Sequence, residues 1–139
     1  DEVLADYRPS VVKVEAYDIR SHPHLADGTP MRPLFDALRA ELLALDPCVS
    51  EEFLKLYVAY KAETNFVDIV PQNKRLRLTL NMKFHQLHDP KGLAKDVTNL
   101  GRWGNGDVEV DINLIEEIPY IMGLARQAFE KQMSNEVEQ

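Results

Sequence analysis

The chain has 139 residues, 45% of them apolar and 28% charged, which suits one globular domain with a core and excludes a disordered polymer. Twenty-three acidic against sixteen basic residues give a net charge of −7, which counts against generic nucleic-acid binding through a positive footprint. No stretch approaches the roughly 20 consecutive apolar residues of a membrane helix, and Cys48, the single cysteine, excludes an internal disulfide or a multi-cysteine zinc site. The start, "DEVLADYRPS", lacks the basic region and apolar run of a signal peptide, so a cytoplasmic location is expected. It also lacks an initial methionine, which suggests a fragment of something longer.

Residues 1–31 read as an N-terminal arm or a linker from an upstream domain. Within it "VVKVEAY" (11–17) fits a short strand or a segment lying on another domain, and "SHPHLADGTP" is irregular. The domain proper is expected over 32–133. Leu34, Phe35, Leu38, Leu42 and Leu45 recur at helical spacing, with Pro33 at the first helical position and Asp46-Pro47 as the stop. "EEFLKLYVAYKA" follows with strand alternation, Leu54, Leu56, Val58 and Tyr60 against Phe53, Lys55, Tyr57 and Ala59. "TNFVDIV" is a second strand closed by Pro71. "RLRLTLNMKF" is a third: Leu76, Leu78, Leu80, Met82 and Phe84 face one way, Arg75, Arg77, Thr79, Asn81 and Lys83 the other.

"DPKGLAKDV" suits a short helix or turn, and "DVEVDI" gives another alternating strand. In "NLGRWGNG" the glycines feed that strand and not a helix, so the loop has turn chemistry and lacks the geometry of a phosphate cradle. The last helix carries Ile118, Ile121, Met122, Ala125 and Phe129 as its stripe; Asn113 and Glu116 have capping-box spacing, and Pro119 marks an alternative start. Residues 134–139 form a frayed tail. The order is helix, three meandering strands, short helix, strand, long helix. It predicts an α+β two-layer sandwich, with an antiparallel sheet of about four strands, two main helices on one face and the other face wet.

The polar face is the sharpest functional feature. Arg75, Arg77 and Lys83, joined by Lys55, Tyr57 and Lys61, fit either a surface that follows phosphates or the charged exterior of any half-exposed sheet. Arg102 and Trp103 add an aromatic platform if the tryptophan is exposed. Tyr60, Asn65 and Asp68 around one hairpin fit a small-molecule pocket or a wet rim. His22 and His24, and His85 and His88, form two pairs beside prolines in loops, which favours surface histidines over metal ligands. Cys48 reads as a packing residue or a bystander. No cofactor and no metal site are implied, and oligomeric state is not legible.

"YKAETNFVDIVPQ", "RLRLTLNM" and "GRWGNGDVEV", standing in that order within residues 24–132, resemble a family of uncharacterised bacterial domains often labelled "predicted transport protein". Nothing in the residues supports transport. The resemblance implies a position at the C-terminus of longer nuclease-like proteins, including restriction-type enzymes with ParB-like and HNH-type domains. The element order is also similar to the frataxin and YjbR sandwiches, a likeness of fold that transfers no function. The expected function is a non-catalytic accessory module of a DNA-processing or restriction/defence protein, binding nucleic acid or docking onto a partner domain through the polar face. The alternative is a small-ligand sensor or a minor enzyme, the latter needing Lys61, Asn65, Asp68 and His85 to converge.

Overall fold

The computed structural model describes residues 16–98 and 106–138. Two helices, α1 (Arg32–Leu43) and α2 (Ile118–Glu138), accompany six strands: β1 (Ser50–Phe53), β2 (Val58–Lys61), β3 (Asn65–Pro71), β4 (Leu76–Leu80), β5 (Lys95–Asp96) and β6 (Val108–Ile112). The strands form one antiparallel sheet in the order β1-β2-β3-β4-β6-β5. The α+β class therefore holds, but the sheet has six strands where about four were expected.

Both extra strands have a local cause. "EEFLKLYVAYKA" is not one strand, because the Leu54 N–H donates to the Tyr57 carbonyl at 2.8 Å and folds the segment into a hairpin. This turn leaves Leu56 43% exposed, against the alternation that placed it inside. "DPKGLAKDV" bends at Gly92, whose φ is +64°, and ends in the two-residue β5 on the sheet edge instead of a helix.

One sheet face carries the core. Val58 lies opposite Ile69, Ile69 opposite Leu78, and Leu78 opposite Val110, all of them buried. The stripes of α1 (Leu34, Phe35, Leu38, Leu42) and α2 (Ile121, Leu124, Ala125, Ala128) belong to the same cluster. Burying these side chains drives the two layers together. Phe129 of α2 meets Phe66 edge-on, centroids 5.3 Å apart.

Residues 19–31, within the segment expected to be an arm, contribute Leu25 and Met31 to this cluster. His22 is also buried, with its Nε2 2.8 Å from the Leu54 carbonyl and its ring beside Phe53, so it is not the surface histidine expected. Burial lowers its pKa against the raising effect of the carbonyl, which favours a neutral ring with Nε2–H as donor.

The cap of α2 also differs by one residue. Glu117, not Glu116, accepts from the Asn113 and Leu114 N–H groups at 2.9 and 3.0 Å, in a short 3-10 turn that runs into Ile118. Pro119 then sits in the first turn, where its missing N–H costs nothing. The strand β4 stops at Leu80, so Phe84 does not continue its inward row and is 36% exposed. Gly106 explains that end: its φ is +126°, and a Cβ there would stand 2.2 Å from the Leu80 carbonyl oxygen. Only glycine allows β6 to be entered so close to β4. Gly101 and Gly104 of the same loop, and most of "VVKVEAY", lie outside the described residues.

Candidate functional site

The second sheet face is polar, and the register fixes its rows. Ala59 pairs with Asp68, Asp68 with Thr79, Thr79 with Glu109, and Glu109 with Lys95; one row along, Val70 pairs with Arg77 and Arg77 with Asp111. These are the alternate positions of the strands that build the core, so one hydrophobic pattern creates both faces.

The expected cations do not stand free on this face. Arg77 donates from Nε and Nη2 to the two Asp111 carboxylate oxygens at 2.9 and 3.2 Å, and lies 3.7 Å from Glu109. Arg75 reaches the same Asp111 at 3.2 Å. Lys83 pairs with Asp107 at 3.4 Å, and Lys61 with Glu52 at 2.5 Å. The hydrogen bond to Asp111 raises the Arg77 pKa. Burial pushes the Asp111 carboxyl up, but its contacts with Arg77 and Arg75 outweigh this and hold it below the usual carboxylate range. Asp107, just before β6, with Glu109 and Asp111 on it, thus forms a ladder of acids, and Lys83, Arg77 and Arg75, on and beside β4, are their complement. That ladder alternates visibly in "DVEVDI"; what the sequence withheld was that β6 pairs with β4.

The centre of the face is drier than an open sheet. Asp68 is fully buried and Thr79 is 2% exposed, with its Oγ1 lacking a hydrogen-bond partner among the described residues. Asn65 Nδ2 donates to Asp68 at 2.9 Å. Tyr57 lies beside them: burial first, then the Asp68 and Glu52 charges, raises its phenol pKa. Lys55 is exposed in the 54–57 turn and not on a strand with Tyr57.

Tyr60 is separated from Asn65 and Asp68. It faces the core side, opposite Val67, and donates to Glu51 at 2.7 Å. Glu51 in turn holds Arg39 of α1 in a two-pronged pair at 2.9 and 2.5 Å, with the guanidinium over the Phe35 and Phe53 rings. Burial and the bond to Glu51 raise the Tyr60 pKa. This network ties α1 to β1 and β2, and it places Tyr60 on the opposite sheet face from Asp68. Of the set needed for catalysis, Lys61 lies opposite Asn65 and Asn65 bonds Asp68, but Lys61 is held by Glu52, Asp68 is buried and His85 is exposed in a separate turn. Among the described residues no group of His, Cys, Asp and Glu side chains has metal-binding geometry. Arg102 and Trp103 lie outside the described residues.

The fold and its polar face define a small α+β domain, six-stranded and helix-backed on one side. The chain belongs to the family described as a domain of unknown function, DUF5655, whose model matches residues 21–132. It is similar to an uncharacterised protein of Haemophilus influenzae, 42% identical over 106 residues, which cover 76% of this chain and 35% of that protein. The chain thus matches about a third of the length of this curated relative. No solved structure matches it. No helix among the described residues is long and apolar enough to cross a membrane.

Proposed function

We propose that this chain is a non-catalytic accessory domain of a longer protein, and that its polar sheet face docks onto another domain of that protein. The observation that carries the reading is the pairing of Arg75, Arg77 and Lys83 with Asp111, Glu109 and Asp107. A phosphate-tracking surface keeps its cations available, whereas these are neutralised within the sheet, consistent with the net charge of −7. The paired charges around the rim of this face suit a protein partner, where complementary charge sets register and excludes wrong partners. The Haemophilus influenzae relative, nearly three times the matched length, supports a domain set within a longer chain. The sequence resemblance adds that the longer protein processes DNA or serves restriction or defence.

A second reading rests on one observation. The 54–57 turn, the 72–75 turn and the start of β4 lie at the same end of the sheet and present Lys55, Lys74 and Arg75 as exposed side chains. That end fits contact with a nucleic-acid backbone. Labelled single- and double-stranded DNA and RNA, titrated at two salt concentrations, separate the two readings. Docking predicts no binding that weakens when Arg75 and Arg77 are both replaced by glutamate. Affinity that falls steeply with salt and vanishes in that variant would replace docking with nucleic-acid recognition.

A further inference from the structure

At the opposite end of the sheet, the close of β4 and the C-terminal part of α2 border a polar cleft. It has two lobes that share Asn81. One, about 360 Å³, is lined by Asn81, Lys83, Gln86, Asp107, Lys131 and Gln132. The other, about 540 Å³, is lined by Lys61, Glu63, Thr64, Asn65 and Asn81.

The cleft is built, not a gap between loose side chains. Asn81 Nδ2 donates to the Asn65 carbonyl at 2.8 Å, and Gln132 Nε2 donates to the same carbonyl at 3.2 Å. Gln132 Oε1 accepts from the Thr64 hydroxyl at 2.7 Å. These bonds fasten α2 to the β2–β3 hairpin and fix the Asn81 amide at the junction of the lobes. Its second N–H and its Oδ1 have no partner among the described residues, so one donor and one acceptor remain side by side.

Lys131 is the decisive residue. Arg32, Arg39, Lys61, Arg77 and Lys131 are the half-buried bases among the described residues, and the first four each hold a carboxylate. Lys131 holds none. Among the described residues three and four positions away on α2, Gln127, Ala128 and Ser134, none is an acid. Lys131 lines the first lobe with no carboxylate partner among the described residues, and an anionic ligand there would supply the counter-charge. Lys83 is already engaged by Asp107, and Glu63 borders the second lobe and repels an anion there. The anionic group is therefore directed to Lys131.

We propose that this cleft binds a small organic anion, with its phosphate or carboxylate on Lys131 and a hydrogen-bonding edge on the Asn81 amide. The cleft shares Lys83 and Asp107 with the edge of the docking face proposed above, but it is argued from Lys131 and Asn81, which that reading does not use. The test is an NMR titration of the 139-residue chain, following the side-chain amides of Asn81 and Gln132 and the Lys131 Nζ-bearing carbon. AMP supplies a phosphate with a purine edge, N-acetylglutamine a carboxylate with an amide edge, and adenosine the edge alone. Saturable shifts of Asn81 and Lys131 with AMP or with N-acetylglutamine support the site and identify which anion it takes. Affinity for that probe should fall at least about tenfold in Lys131→Met and be retained in Lys131→Arg. Neither anion moving these resonances at millimolar concentration would overturn the proposal. So would adenosine binding as tightly as AMP, or a folded Lys131→Met variant binding like the parent. If Lys131→Met does not fold, the titration of the unaltered chain decides alone.

Discussion

The two faces of this sheet arise from the same alternating strands, yet they are held by different physics. On the helix side, Leu78 lies between Ile69 and Val110 in the buried apolar cluster, and stability there follows mainly from area withdrawn from water. On the other side, Thr79, the very next residue, lies between Asp68 and Glu109 in a row of charged and polar groups. The first face specifies the fold; the second is constrained by it but free to vary its chemistry, and there a partner can be recognised.

Substitutions at adjacent positions sharpen that contrast. Leu78→Ala should have the largest effect, a loss of about 2–5 kcal/mol in urea unfolding, because it empties a site packed on every side. Thr79→Val should act in the opposite sense and raise stability by about 1 kcal/mol, since it removes a buried hydroxyl that has no hydrogen-bond partner among the described residues. A loss of stability in Thr79→Val would mean that this hydroxyl is satisfied after all.

Asp111→Asn should destabilise by less than about 1 kcal/mol, because its pairs with Arg75 and Arg77 are only partly withdrawn from water. The deficit should shrink as salt is added, and a salt-independent deficit would show that the ion pairs are not its source.

The smallest effect concerns pH. Burial depresses the folded-state pKa of His22 below its ordinary value of 6.5, so between those two values the unfolded chain binds more protons. Its contribution is complete above the unfolded pKa and is lost as pH falls through the folded value. The slope of stability against pH just below 6.5 should therefore flatten in His22→Phe, and an unchanged slope would assign it to other groups.

Much of the fold was legible because apolar alternation is local. The inward rows of β4 and β6 and the stripes of both helices can be read from the sequence nearly residue by residue. The 54–57 turn was not, because "LKLY" contains no glycine, proline, asparagine or aspartate, and its β-forming residues continue the pattern of the strands beside it. The candidate site was half legible. Arg75 and Arg77 stand out as a basic row, but their meaning depends on Asp111, 34 residues beyond Arg77 and adjacent only once β6 adds to β4. Lys131 gave no signal at all, since a missing counter-charge is a property of three-dimensional neighbours.

The docking account is tested most directly by lysine acetylation footprinting of the isolated chain and of the longer protein proposed to contain it. Lys83 and Lys95 belong to the polar face, and Lys91, stacked on Tyr120 in the 89–94 turn, serves as the internal reference. The account predicts that Lys83 and Lys95 react readily in the isolated chain and are protected in the longer protein, while Lys91 is unchanged. Equal reactivity of all three in both proteins would contradict it.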